Sequence, residues 1–304
     1  MITKEEIALN FRKLQDSICT SLEYEDGLSK FREDHWERHD GGGGITRIME
    51  GGDLIEKGGV NFSEVFGKTP EKIMESLDYS ANYFYATGIS IVLHPKNPHV
   101  PIIHMNIRYF EMDDEVWWFG GGIDLTPHYI YPDDASFFHR TLKDVCDHHD
   151  PAFYPRFKTW ADEYFFVKHR NETRGIGGIF FDRLNKHDGK DDLYKFVIDV
   201  GRVFIPIYVR ISRIHKNKSF SERQRDWQLI RRSRYAEFNL VQDRGTKFGL
   251  ESGGRIESIF MSLPPLASWK YDFNPEPDSP EYETLELLRK DIDWINERIH
   301  DRLD

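Results

Sequence analysis

The chain has 304 residues, 39% of them hydrophobic and 14% aromatic, which is enough for a sizeable core. With 41 Lys and Arg against 52 Asp and Glu the formal charge is -11, so nucleic acid or an anionic membrane would be repelled at long range and neither is expected as the main partner. No apolar run approaches the roughly 18 residues that a membrane span requires, so no membrane insertion is expected either.

The length suggests about two ordinary domains, but no Pro/Ser linker or low-complexity segment divides the chain, and a single domain over residues 1–304 is expected. The two cysteines, Cys19 and Cys146, make neither a disulfide framework nor a zinc-finger spacing. The N-terminus, Met-Ile-Thr-Lys-Glu-Glu, has no apolar signal core and no Arg-rich, acid-poor character. A reducing, cytoplasmic setting follows as the expectation.

Residues 4–23 read as an amphipathic helix with the stripe Ile7, Phe11, Leu14, Ile18 and Leu22, opened by a capping box of Thr3 and Glu6. Over 34–67, Gly41 to Gly44, Gly51-Gly52 and Gly58-Gly59 interrupt short extended pieces. This predicts hairpins rather than a phosphate loop, since neither GxxxxGK[ST] nor a helix-opening GxGxxG occurs. A helix is expected around 70–86, then strands at 88–94, 101–111 and 115–120. Helices follow around 134–148, 155–173, 190–213 and 219–233, with strands at 234–243 and 254–262. The segment 281–303 reads as a helix, with Tyr282, Leu285, Leu288, Ile292, Ile295, Ile299 and Leu303 at three- and four-residue steps. Consecutive strands without intervening helices indicate an α+β fold with an antiparallel sheet.

Strand alternation gives the first candidate site. Ile103, Met105, Ile107 and Tyr109 share one face of their strand, and His104, Asn106 and Arg108 share the other. Ser90 and His94 likewise share a face, as do Glu237, Asn239 and Asp243 in the expected late strand. A solvated sheet face is usually rich in Lys, Glu and Thr, whereas these faces carry His, Asn, Arg, Ser and Asp. If helices cover them, such residues must line a cavity or be paired. His104 beside Arg108 is the best proton donor or acceptor, because imidazole titrates near neutrality. Among the 13 histidines no HExxH or other recognised metal spacing occurs, so hydrogen-bonded or catalytic histidines are the favoured reading.

Three further stretches stand out. Arg156–Asp182 runs from an aromatic-striped helix (Phe157, Trp160, Tyr164, Phe165) through His169-Arg170-Asn171-Glu172 into glycines 175, 177 and 178 and the apolar run Ile179-Phe180-Phe181. Residues 117–127 read WWFGGGIDLTP, and residues 243–250 read DRGTKFGL, shortly followed by Gly253-Gly254-Arg255. Alone, a triple glycine is more often a bulge and an adjacent Asp-Arg pair a weak surface ion pair.

Together, these segments resemble the oxygen-dependent coproporphyrinogen III oxidases, which carry a tryptophan, a Tyr-Phe pair, HRxExRGxGG and IFFD in this order. The resemblance runs from about residue 32 to 269. It departs at Ala161, where the family usually has cysteine, a change in keeping with a small core residue.

The resemblance implies a large flat antiparallel sheet with helices on both faces, and a homodimer with the 281–303 helix at its interface. It implies conversion of two propionates of coproporphyrinogen III to vinyl groups, giving protoporphyrinogen IX in haem synthesis with O2 as co-substrate. Asp243 would accept pyrrole N–H groups, Arg244 would meet a carboxylate or oxygen intermediate, and Asp124 would be a pocket carboxylate. His104 with these three makes up the catalytic set. Ser90, Asn106, Arg108, Gly253, Gly254 and Arg255 would bind substrate. His94, His104, His139 and His169 match positions sometimes assigned as divalent-metal ligands in bacterial members. The substrate is its own reductant in this reading, so no flavin, haem or nicotinamide is expected, and no fingerprint for one is visible. A non-haem metal oxygenase and a silent tetrapyrrole carrier are the competing readings.

Overall fold

The computed structural model describes residues 1–69, 74, 81–113, 116–185, 189–251 and 254–296. Helix α1 (Lys4–Asp26) opens on the expected Thr3–Glu6 capping box and closes at Gly27, whose left-handed φ of 74° only glycine adopts freely. Its stripe is buried at Ile7, Phe11, Ile18 and Leu22. The glycine-interrupted region then forms β1 (Arg32–Glu37), β2 (Gly42–Glu50) and β3 (Ile55–Lys68), three successive antiparallel strands. They continue into β4 (Tyr83–Pro95), β5 (Ile102–Met112) and β6 (Val116–Thr126); β5 lies one residue on from the expected strand, and β4 and β6 are longer than the sequence pattern suggests. The expected helix over 70–86 falls mostly outside the described residues, and at its end Tyr83 already begins β4.

The chain next builds α2 (Pro132–His149) and α3 (Phe153–Tyr164). The helix expected through 173 stops at Tyr164. In its place a small hairpin pairs β7 (Phe166–Val167) with β8 (Glu172–Thr173), turned by Asn171 at φ 54°. Strand β9 (Gly178–Leu184) carries the apolar run and pairs with β6. The result is a seven-stranded antiparallel sheet in the order β1-β2-β3-β4-β5-β6-β9.

The expected 190–213 helix divides at Val203 into α4 (Lys190–Arg202) and α5 (Phe204–His215). With α1 they cover one face of the sheet. There Ile103, Met105, Ile107 and Tyr109 are all fully buried in the main core. At about 1.5–3 kcal/mol for each large apolar side chain buried, this face supplies much of the stability.

The opposite face is covered by the helix expected near 219–233 and by two stretches, 234–243 and 254–262, that the sequence pattern assigns to strands. Helix α6 (Glu222–Glu237) runs directly into a π-helical turn, Phe238–Gln242. No strand occupies 234–243, so Glu237, Asn239 and Asp243 do not share a strand face. The helix starts at a second capping box, Ser221 with Gln224, and continues because its inward residues recur as Trp227, Ile230, Arg231, Arg234 and Tyr235, three or four apart. All five of its arginines are tied to acids, which hides the amphipathic pattern; Arg232, fully buried, donates to Glu56 (2.6 Å) and to the Pro95 carbonyl (2.8 Å).

Two short helices follow, α7 (Arg244–Glu251) and α8 (Ile256–Phe260). The latter replaces the strand expected at 254–262. It packs on β2 and β3, where Met261 fills the space left by Gly59. Near the C-terminus only α9 (Pro280–Glu286) is helical among the described residues, so the long 281–303 helix is not formed as expected. Asp291 adopts a left-handed φ of 65° and donates its N–H to Asp162, which breaks the helical course. Leu288 and Ile292 of the expected stripe, with Leu287 and Trp294, are buried in the core, and Leu288 is 1% exposed. Residues 297–304 of that helix lie outside the described residues.

Candidate active site

The α6-side face of the sheet carries the polar residues that strand parity places together. Asn61, Ser90, Asn106 and Gly122 are cross-strand neighbours on β3 to β6. Three strand spacings make this row roughly 14 Å wide. One row along, Arg108 lies between Gly88 and Gly120, and on the other side His104 faces Asp124. A Cβ at Gly120 would lie 2.8 Å from Arg108 Nε and 2.6 Å from Asp182 Oδ1, so glycine is what leaves room for this ion pair. Arg108 donates to Asp182 (2.8 Å) and to Asn106 Oδ1 (2.8 Å).

His104 and Asp124 form the centre. The ring Nδ1 is 2.7 Å from Asp124 Oδ1, and the imidazole is partly open while the carboxylate is 2% exposed. Behind it, Arg174 donates to Asp124 Oδ2 at 2.6 Å and to Asn239 Oδ1 at 3.0 Å. Burial works to raise the Asp124 pKa, but the Arg174 charge and the His104 contact outweigh it and hold the carboxyl below its ordinary range. A buried anion behind a half-open imidazole is an arrangement for proton transfer at the outer ring nitrogen.

Asp243 and Arg244 border the face on the β9 side. Phe180, next to Gly122 across the sheet, stacks on Tyr164 with centroids 4.2 Å apart, and the Tyr164 hydroxyl donates to Asp243 at 2.7 Å. Burial, and then the Asp243 charge, push the Tyr164 hydroxyl pKa upward. Thr246 donates to the other Asp243 oxygen from its N–H (2.7 Å) and hydroxyl (2.8 Å). The Arg244 side chain is exposed and makes no ion pair among the described residues.

Arg255 borders the face on the β1–β3 side. Its guanidinium donates to Asp34 (2.5 Å) and Ser258 (3.2 Å), while Ser258 also meets Thr46 and Asn61. The Gly254 N–H donates to the Gly249 carbonyl (2.7 Å) rather than facing the cleft. Gly253 lies outside the described residues.

The four histidines singled out as metal candidates are not brought together. His94 is fully buried against Tyr235, with Nε2 2.9 Å from the Ser262 carbonyl; burial, with the Arg232 charge, pulls its pKa down to about 3. His139 places Nε2 on the Ile176 carbonyl and Nδ1 on the Tyr154 hydroxyl, with its pKa also lowered to about 3, chiefly by burial. His169 sits on the β7–β8 hairpin and meets Glu237 at 3.0 Å. Among the described residues no three His, Cys, Asp or Glu side chains converge as metal ligands.

Glu237, read as part of a strand face, instead collects Arg170, His169, Arg234 and Trp269. Burial opposes its ionisation, but these donors bring its pKa down to about 2. Sequence reasoning missed Arg174, Asp182, Tyr164 and Asn61. Asp182 was findable, since it shares strand parity with Phe180 in β9. Arg174 was visible only as one more basic residue before a glycine turn.

A partly buried His–Asp pair on a broad polar sheet face bordered by three arginines offers acid–base chemistry and cationic contacts within an α+β fold. The chain belongs to the coproporphyrinogen III oxidase family: the family model described as coproporphyrinogen III oxidase matches residues 6–294. It is 48% identical over 297 residues to the oxygen-dependent coproporphyrinogen-III oxidase of Drosophila melanogaster, an alignment covering 93% of this chain and 76% of that protein.

Proposed function

We propose that the chain is an oxygen-dependent coproporphyrinogen III oxidase of haem biosynthesis, acting as a cytoplasmic homodimer without a bound redox cofactor. Family membership and 48% identity to a curated oxidase support the activity. The single structural observation that carries it is the His104–Asp124 pair, 2.7 Å apart in the middle of the polar face. No described helix is long and apolar enough to cross a membrane.

The substrate accounts for the residue types. It presents four propionates and a convergent set of pyrrole N–H groups. Arg244, without an ion pair among the described residues, meets one propionate directly. Arg108 and Arg255 keep their carboxylate partners and offer remaining N–H groups, with the Ser90 hydroxyl and Asn106 amide beside them. Asp243, fixed by Tyr164 and Thr246, accepts from a pyrrole N–H and makes that ring electron-rich enough to react with O2. Each step converts a propionate to a vinyl group and CO2. The two electrons removed reduce O2 to hydrogen peroxide, with one proton taken up, so atoms and charge balance without a nicotinamide or flavin. His104 supplies or accepts the proton at its outer nitrogen while Asp124 holds the ring.

The test is to incubate purified, metal-analysed protein with coproporphyrinogen III under air and under argon and to follow vinyl products by chromatography. Product only in air, from protein lacking stoichiometric metal, is expected. Product that tracks a bound metal would overturn the cofactor-free part, and binding without CO2 release would overturn the oxidase.

A further inference from the structure

Arg174 has no part in the chemistry above, yet the fold builds an unusual enclosure for it. Its side chain is 3% exposed. The guanidinium carbon lies 4.3, 4.7 and 4.8 Å from the ring centroids of Phe165, Phe238 and Tyr235. Its two terminal nitrogens reach Asp124 and Asn239, and its main-chain N–H donates to the Phe165 carbonyl at 2.9 Å. Aromatic faces attract a cation without competing for its hydrogen bonds, so both terminal groups can be aimed.

The aiming comes from three separate segments. Phe165 follows α3, Arg174 follows the β7–β8 hairpin, and Phe238 and Asn239 belong to the π-helical turn. The hairpin is fastened to α6 by the Arg170–Glu237 pair (2.6 Å) and the Arg231–Glu172 pair (2.9 Å). The basic, acid-bearing end of the 156–182 stretch therefore clamps the Arg174 backbone and does not itself meet Asp124.

A carboxylate can only accept hydrogen bonds, whereas a neutral carboxyl also donates. With Arg174 on one oxygen, Asp124 stays an acceptor at the other, and His104 must present Nδ1–H to it. Nε2, which has no protein partner among the described residues, is then the nitrogen left for the cleft. Removing the cation from this buried site favours the neutral carboxyl, whose O–H would donate to an unprotonated Nδ1 and leave the ring N–H at Nε2. The ring would stay where it is with its donor and acceptor ends exchanged.

We infer that Arg174 is a positioning residue of the reaction: acting through Asp124, it sets the His104 ring with Nδ1–H on the carboxylate and Nε2 open to the cleft. This rests on the assignment of His104 as the proton-transfer group.

The experiment uses the full chain labelled with 15N-histidine, as wild type, Arg174→Lys and Arg174→Gln, with His104 assigned by its loss in His104→Gln. Ring nitrogen shifts report the tautomer, and kcat and KM for vinyl formation are measured on the same samples. The Nδ1–H tautomer is expected in wild type and in Arg174→Lys, and loss of it in Arg174→Gln. Arg174→Gln should lower kcat on the order of 100-fold, the low end for a general acid or base, with KM unchanged and partial recovery in Arg174→Lys. An unchanged tautomer in a folded Arg174→Gln protein overturns the inference, as does a loss confined to KM. If Arg174→Gln does not fold, wild type decides: an Nε2–H tautomer at neutral pH overturns the inference, and Nδ1–H retained in Arg174→Lys upholds it. The expected tautomers together with a wild type that makes no vinyl product would sink the oxidase reading while leaving the link from Arg174 to His104 standing.

Discussion

Asp124→Asn is the substitution whose consequences the geometry constrains most closely. Asparagine keeps the shape of the carboxylate but has one acceptor and one donor end. The acceptor must serve either Arg174, now at 2.6 Å, or His104 Nδ1, at 2.7 Å. Arg174 is 3% exposed, and its remaining polar partner would be Asn239, so the guanidinium takes the acceptor. The amide N–H2 then faces His104 and forces Nδ1 to accept. Leaving a buried cation without its counter-charge costs about 3–5 kcal/mol. The three aromatic rings stay in place, which puts the expected loss near about 3 kcal/mol. At an m-value of about 3 kcal/mol per M, that lowers the urea midpoint by about 1 M. Turnover should fall by about 100- to 10,000-fold, as expected when a general acid or base is disabled, while KM moves little because Asp124 does not reach the cleft. Urea titration and initial rates of vinyl formation in air read both quantities on one preparation. A folded Asp124→Asn enzyme with kcat within about two-fold of wild type, under 0.5 kcal/mol of barrier, would refute the role assigned to the dyad.

Other substitutions probe the remaining contacts. Asp243→Asn is expected to bind substrate with near-normal affinity but to lose turnover; near-normal single-turnover kinetics would remove Asp243 from the chemistry. Arg244→Ala should raise KM about ten-fold, roughly 1.4 kcal/mol of a charge-assisted contact, without changing the urea midpoint, since the side chain is exposed. Glu56→Gln should destabilise the fold by about 3 kcal/mol, because Arg232 is fully buried and Glu56 is its acidic partner. Burial would raise the Glu56 pKa, but Arg225 and Arg232 outweigh it and lower it. Its contribution is therefore fully present above the unfolded-state pKa of about 4.3 and is lost as pH falls through the lower folded value. Wild type should accordingly lose this increment on acidification and Glu56→Gln should not, which paired urea titrations at neutral and acid pH would resolve.

The site was readable from sequence where one strand carries it and obscure where several segments meet. Period-2 alternation in Pro101–Glu111 placed His104, Asn106 and Arg108 on one face, and β5 puts them there. Ser90 was aligned by the same rule, and its position opposite Asn106 follows from the register. Alternation misled at Tyr235–Asp243, where Glu237, Asn239 and Asp243 happen to recur at odd positions. A helix and π turn form there because their arginines and aromatics find partners on β3, β4 and the β7–β8 hairpin. Such partners are distant in the chain, so no local window contains them. The C-terminal stripe failed for a similar reason: Leu288 and Ile292 are drawn into the core on either side of a break at Asp291, held by Asp162.

The sequence by itself determined what short-range physics controls: the capped α1, the glycine-broken hairpins, the alternating faces of the long strands, and, through its motif order, the family. Tertiary structure alone decided which charges meet. Asp124 could have paired with any nearby base, and Arg174 with any of several acids. Their contact depends on β6, the β7–β8 hairpin and the π turn arriving together, and the enclosure by three rings exists only once the end of α3, the end of α6 and the π turn have packed around Arg174. Periodicity specifies the direction in which a side chain points from its own element; the partner it meets depends on how elements far apart in sequence pack.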